Sequence, residues 1–170
     1  MSQPAQAVPD ETMLSIVAAV ELGRSGQKVQ ARDALTSLWD QIGDTGDAFH
    51  RCSVAHYLAD LQDTLEVELM WDERALAAVS GVTNERAQQY HHSLRVQGFL
   101  PSLHLNLADD HRRLENTDLA RKHLAAAQDL VEHLPDDQYG EMIRGAIQNV
   151  AKALESGSTR QLGSDPSSSG

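Results

Sequence analysis

The stretch LADDHRRLENTDLARKHLAAAQ, Leu107 to Gln128, decides the fold class. Leu103, Leu107, His111 and Leu114 recur at steps of three and four, which puts them on one face of an α-helix. Asn116 to Asp118 reads as a turn, because short polar side chains bond the nearby backbone and compete with helix there. Beyond it Ala120, Leu124, Ala127, Val131 and Leu134 resume the period until Pro135, which cannot continue the ladder. Two amphipathic helices joined by a short turn lie antiparallel, so this stretch is predicted to be a helical hairpin.

The same period extends in both directions. Downstream, a helix over about Gln138 to Leu154 carries Ile143, Ile147, Val150 and Leu154. Upstream, Gly98 and Pro101 are expected to bracket the start of the hairpin's first helix, since proline fits a first turn. The segment Thr83 to Val96, with its QQYHH run, is helical in period but polar. A helix from about Glu11 to Gly23 has Asp10 as N-cap, and another spans about Gln27 to Trp39 before the loop GDTGD, Gly43 to Asp47. A third, Ala48 to Leu61, is apolar over a wide arc and is expected to be central. Asp63 and Glu66 have the spacing of a capping box for a helix from Thr64 to Gly81. Nothing alternates with period two over a useful length, so the expected class is all-α, as antiparallel hairpins.

The quoted hairpin resembles a tetratricopeptide repeat. Leu107 and Ala108 match the large and small residues of the first helix in such a repeat, Ala120 the small residue at the crossing, and Leu124 and Ala127 the packing face. Small side chains there let the axes approach while large ones fill the space alongside. Ala18, Ala19, Leu22, Gly26, Ala31 and Leu35 resemble a second unit, and twelve residues separate Ala19 from Ala31 as they separate Ala108 from Ala120. In a middle unit LAD at Leu58 to Asp60 matches LAD at Leu107 to Asp109, although Trp71 stands where a small residue belongs. The segments HRCSVAHYLADLQ and GFLPSLHLNLADDHRRL are similar to actinobacterial tetratricopeptide-type proteins of undefined function. The resemblance implies an irregular array with a C-terminal capping helix. It also implies a concave groove that binds protein or peptide through His56, Tyr57 and Asp60 of the middle unit and Asn106, Asp109, Arg112 and Arg113 of the third. Asn106 matches an asparagine that clamps carboxylates in some members, while the lysines that complete that clamp have no counterpart at the aligned positions of the first two units.

Composition narrows the function classes. The 170 residues suffice for one domain with a continuous core, expected over residues 10–156. Residues 1–9, polar with two prolines, and 157–170, rich in Gly, Ser, Asp and Pro, read as disordered ends. A net charge of −11 disfavours nucleic acid and anionic membrane as partners, because both are held by clustered Lys and Arg. With no leader pattern and no apolar run of about 20 residues, the expected location is cytoplasmic. Cys52, the single cysteine, is expected to be an inert buried thiol.

Candidate chemistry is sparse. There is no HExxH and no GxSxG, so neither a zincin nor a serine nucleophile is indicated, and no cofactor is expected. The expected function is an adaptor rather than an enzyme. Eight histidines leave a metal-binding alternative, with His56 and Asp60 four apart and His104 and His111 seven apart on their helices. For His111, on the apolar stripe, a hydrogen-bonded core role is favoured, and His91 and His92 are expected at the surface. Trp39, Trp71 and Phe99 are expected as core anchors, and the acidic run EVELMWDE, Glu66 to Glu73, as a solvated face interrupted by core residues, with contact to a basic partner as its functional alternative. A structural homo-oligomer is the remaining alternative.

Overall fold

The structure is a computed structural model that describes residues 9–91 and 93–162. The expected ends therefore lie largely outside the described residues, as does His92. Among the described residues there is no strand, and the chain is all-helical: α1 Glu11–Arg24, α2 Lys28–Ile42, α3 Ala48–Ala59, α4 Leu65–Val79, α5 Asn84–Tyr90, α6 Val96–Arg113, α7 Thr117–Asp129 and α8 Gln138–Glu155. None of these helices is long and apolar enough to cross a membrane.

Side-chain caps fix several starts by satisfying amide groups that have no intrahelical partner. Asp10 accepts from the Met13 amide, Asp47 from His50, Thr83 from Arg86 and Asp137 from Gly140, at 2.9 to 3.1 Å. The first two caps also share an ion cluster. Arg86 donates from Nε to Asp47 Oδ2 at 2.6 Å and from Nη2 to Asp10 Oδ2 at 2.9 Å, and His50 Nε2 lies 2.9 Å from Asp10. Burial works against the Asp10 charge, but the bonds from His50, the Met13 amide and Arg86 together hold its carboxyl at about 2.

The most extensive packing is within the pairs α3/α4, α6/α7 and α1/α2. The second helix of each of the first two pairs also meets the first helix of the next, α2 against α3 and α4 against α6, while α8 packs on both α6 and α7. One apolar core runs from α1 to the start of α6 around Ile16, Leu35, Val54 and Leu58, and a second joins α6, α7 and α8 around Ala108, Leu124, Ile147 and Val150. The small residues Ala19, Ala31, Ala108 and Ala120 are all buried to 2% exposure or less, as close axial approach requires.

The ends of α1, α6 and α8 share one geometry. In each, the amide five residues on bonds back to the helix, Gln27 to Leu22, Asn116 to His111 and Ser158 to Ala153, across a residue of positive φ. Those residues are Gly26 (87°), Glu115 (64°) and Gly157 (69°). This bond pattern relieves the last carbonyls of a helix and reverses the chain. The end of α3 lacks it and closes with single-turn bonds from Leu61 to Leu58 and from Gln62 to Ala59.

Several expectations need correction. Asp63 does not cap α4; the cap residue is Thr64, without a side-chain bond, and Asp63 instead pairs with Lys28 at 2.9 Å and Arg32 at 2.6 Å. Pro101 lies inside α6 rather than at its start, because the helix begins at Val96, where the amide bonds to Asn84 Oδ1. Helix α7 stops at Asp129, and the residues expected to prolong it form a 3-10 turn, Val131–His133. Among the described residues of the polar segment Thr83 to Val96, helix is limited to the short α5 and the first residue of α6. Trp39 and Trp71 meet edge to face at 5.0 Å, with Arg51 over Trp39 and Arg74 over Trp71. Cys52 is buried, and burial pushes its thiol up to about 12, out of the reactive range.

Candidate functional site

Where α4 meets α6, the buried lining is polar. Glu68 and Asp72 stand on one stripe of α4 with the buried Ala75 and Val79, at steps of four, three and four, and they face Asn106, Asp110 and Arg113 of α6. The carboxylates of Glu68, Asp72 and Asp110 bring oxygens within 4.8 Å of one another. Asp72 and Asp110 are 2% and 1% exposed, whereas the Glu68 side chain keeps 23% of its surface open and forms the entrance.

Two groups answer this negative charge. Asn106 Nδ2 donates to Asp72 Oδ1 at 3.2 Å, and Arg113 Nη1 donates to Glu68 Oε1 at 3.0 Å. The same Arg113 nitrogen lies 3.7 Å from Asp110 Oδ1 and 3.8 Å from Asp109 Oδ2. One guanidinium cannot neutralise so many acids, so protons supply the rest. Burial raises Asp72 to about 7, against the bonds from Asp110 and Asn106. Burial, the Asp72 charge and the bond to Asp72 raise Asp110 to about 10, with Arg113 opposing. At neutral pH the Asp72 and Asp110 carboxyls therefore hold a proton between them as a pair.

The seam continues electrostatically onto α3. Asp60, the cap residue after α3, is exposed to solvent although protein atoms crowd around it. That crowding raises its carboxyl; His56 lowers it in part, and Glu68 raises it further. Burial lowers the His56 imidazole, partly offset by Asp60, so His56 is held toward its neutral form. Asp60 and Tyr57 also line a cavity of about 300 Å³ between α1, α2 and α3, together with Val20, Arg24 and Leu61. Among the described residues, the buried side-chain polar atoms without a hydrogen-bond partner are His56 Nδ1 and Asp110 Oδ2, and both belong to this region.

The expected groove residues divide. His56, Asp60, Asn106 and Arg113 enter the polar region, with Asp109 at its edge and Tyr57 on the adjoining cavity. Arg112 points elsewhere. It is 2% exposed, donates to Asp109 Oδ1 at 2.5 and 3.1 Å, and donates to the carbonyls of Ser158 and Arg160 at 2.5 and 2.8 Å, fastening the segment after α8. It is therefore no free cation of a groove. The four residues of the metal alternative are not brought together as one set. His104 and His111 face α7, where both contact His123, on the flank of α6 roughly opposite Asn106 and Asp110 at about 100° per residue.

Glu68, Asp72, Asp110 and His123 escaped the reading of the sequence. The run Glu66 to Glu73 is not a wholly solvated face, since Asp72 is buried. Its signal lay in the stripe Glu68, Asp72, Ala75, Val79, where acids occupy positions that continue an apolar line. Comparison with models of known protein families, with curated proteins and with solved structures finds no match to this chain.

Proposed function

We propose that this chain is a tetratricopeptide-like helical array that binds a cationic protein or peptide segment along the face made by α1, α3 and α6. The order of packing supports the array, because each hairpin meets the next through its second helix and α8 covers the last pair. The common ending of α1, α6 and α8 supports it too. It makes α1 and α6 equivalent first helices and gives α8 the shape of a first helix without a partner, as a capping helix would have.

The observation that carries the binding reading is the imbalance in the seam. Glu68, Asp72, Asp109 and Asp110 gather there and Asp60 acts on them from the end of α3; Arg113 serves Glu68, Asp109 and Asp110, Arg112 also bonds Asp109, and two enclosed polar atoms lack partners. An enclosed polar atom without a partner costs about 1 to 3 kcal/mol, so a donor from outside that reaches it is favoured. A Lys or Arg side chain entering past Glu68 and Asp60 supplies such a donor and a positive charge that can replace the protons now held by the buried acids. The test is fluorescence anisotropy with Lys- and Arg-rich peptides against Glu-rich ones, at low and high salt. Basic peptides should bind, salt should weaken them, and Asp60→Asn/Glu68→Gln should lower affinity by about tenfold, roughly 1.4 kcal/mol. Equal binding by wild type and this variant, or a preference for acidic peptides, would overturn the proposal.

A further inference from the structure

On the other flank of α6, two imidazoles meet with nothing between them. His104 Nδ1 and His123 Nδ1 are 3.1 Å apart, with ring centroids at 5.3 Å. His111 lies behind them, stacked on His123 at 5.6 Å and 8°, with its own Nδ1 3.3 Å from Asn116 Nδ2. Both facing rings are partly open to solvent, whereas His111 is 5% exposed. We infer that His104 and His123 form a surface seat for a first-row transition cation such as Zn²⁺, with His111 fixing the second ring from behind.

The spacing supports this. Two zinc–nitrogen bonds of about 2.0 to 2.1 Å whose nitrogens are 3.1 Å apart enclose about 95 to 100°, between octahedral and tetrahedral angles. The two nitrogens are therefore close enough to hold one ion once the rings turn their lone pairs from each other toward a common point, and water completes the coordination. Neutral imidazole is the ligating form. Without metal, one ring carries its proton on Nδ1 and donates it to the other; with metal, both rings carry it on Nε2, so no net proton is released. Burial lowers His104, and burial with the neighbouring His104, His111 and Lys122 lowers His123 to about 4, so protons compete weakly at neutral pH. Lys122 is the group that opposes a cation here, while the Glu73 carboxylate acts on His111 from α4 and favours one.

The experiment is a Zn²⁺ titration of the metal-free full chain by calorimetry at pH 7.5, repeated with Co²⁺ for its ligand-field absorption. Nitrogen NMR of the histidine rings reports the tautomer. Wild type should show a saturable site, with the donor ring of the pair moving from the Nδ1–H to the Nε2–H form that its partner already holds. His104→Gln and His123→Gln should each weaken binding by at least about tenfold, the scale on which even outer-shell changes act on metal sites. His133→Gln, at an exposed histidine, should leave it unchanged. Circular dichroism shows whether the variants fold, and the tautomer shift in wild type provides an independent reading if one does not. Absence of saturable uptake, uptake unchanged by both substitutions, or uptake lost in Glu68→Gln instead would overturn the assignment and leave an N–H···N bond between the two rings.

Discussion

Helix α6 has two buried polar flanks, and they resolve the same difficulty in opposite ways. Toward α4 it presents carboxyls, and burial there raises Asp72 and Asp110 so that protons stay on. Toward α7 it presents imidazoles, and burial lowers His104, His111 and His123 so that protons stay off. Both flanks avoid charge, because a charge removed from water is costly unless it is paired. They differ in what remains exposed to chemistry: one keeps acidic hydrogen bonds around a single guanidinium, the other keeps lone pairs. Burial alone thus says little about what a polar interface can bind; the sign of the group decides it.

The largest effect should come from removing the guanidinium on the carboxyl flank. Arg113→Ala removes the guanidinium from Glu68 and Asp110, while Asp109 keeps Arg112, and should cost about 3 kcal/mol in urea unfolding at pH 8. A loss below about 0.5 kcal/mol, as for an exposed pair, would mean that protons alone hold the seam together.

The pH dependence comes next, smaller for each pH unit, and here the flanks act with opposite sign. Asp72 and Asp110 have folded values above the unfolded value of about 3.9, so their contribution is complete below that pH and is lost as pH rises through about 7 and then about 10. The imidazoles have folded values below about 6.5, so their contribution is complete above that pH and is lost as pH falls toward the His123 value of about 4. Between pH 7 and 10 the carboxyl flank dominates the change, and stability should fall by up to about 1.4 kcal/mol per pH unit for each proton released. Asp110→Asn should flatten that limb, measured as urea midpoints across the range; an unchanged slope would reject the shared proton. The smallest effect belongs to the imidazole flank at neutral pH. His123→Leu replaces a neutral ring with an apolar group and should change stability by less than about 1.5 kcal/mol at pH 7, while flattening the slope between pH 6.5 and 4. A larger loss at pH 7 would show that the ring pair contributes more than packing.

Much of the fold was legible in the sequence. Apolar periodicity reports which face of a helix is buried, so the stripes of α1, α3, α7 and α8, the Asp10 cap and the buried Cys52 were all visible. Boundaries failed where a contact from elsewhere outweighed a local signal. Asp63 left its capping role for Lys28 and Arg32, and Asn84 started α6 five residues before Pro101. The candidate site was half legible. Asn106 and Arg113 were found through the match to the repeat, but Asp110 and Asp72 were not, because a helical wheel treats an acid as a mark of solvent. A second helix is needed to show that two acids can share one proton. His123 was hidden for the same reason, since its significance arises only across the α6 and α7 crossing.

The cluster that joins the starts of α1 and α3 to Arg86 also sets an order on assembly. Arg86 lies 76 residues after Asp10 and 39 after Asp47. At roughly 5 to 20 residues per second, a ribosome delivers Arg86 about 4 to 15 s after Asp10. Helices form and fray in about a microsecond, so α1 and α3 sample their structure many times before that guanidinium arrives. An interaction that closes so late has little influence on how quickly the first hairpin forms. Its influence falls on how slowly the finished domain opens, making α5 a clasp on the amino-terminal hairpin rather than part of its nucleus.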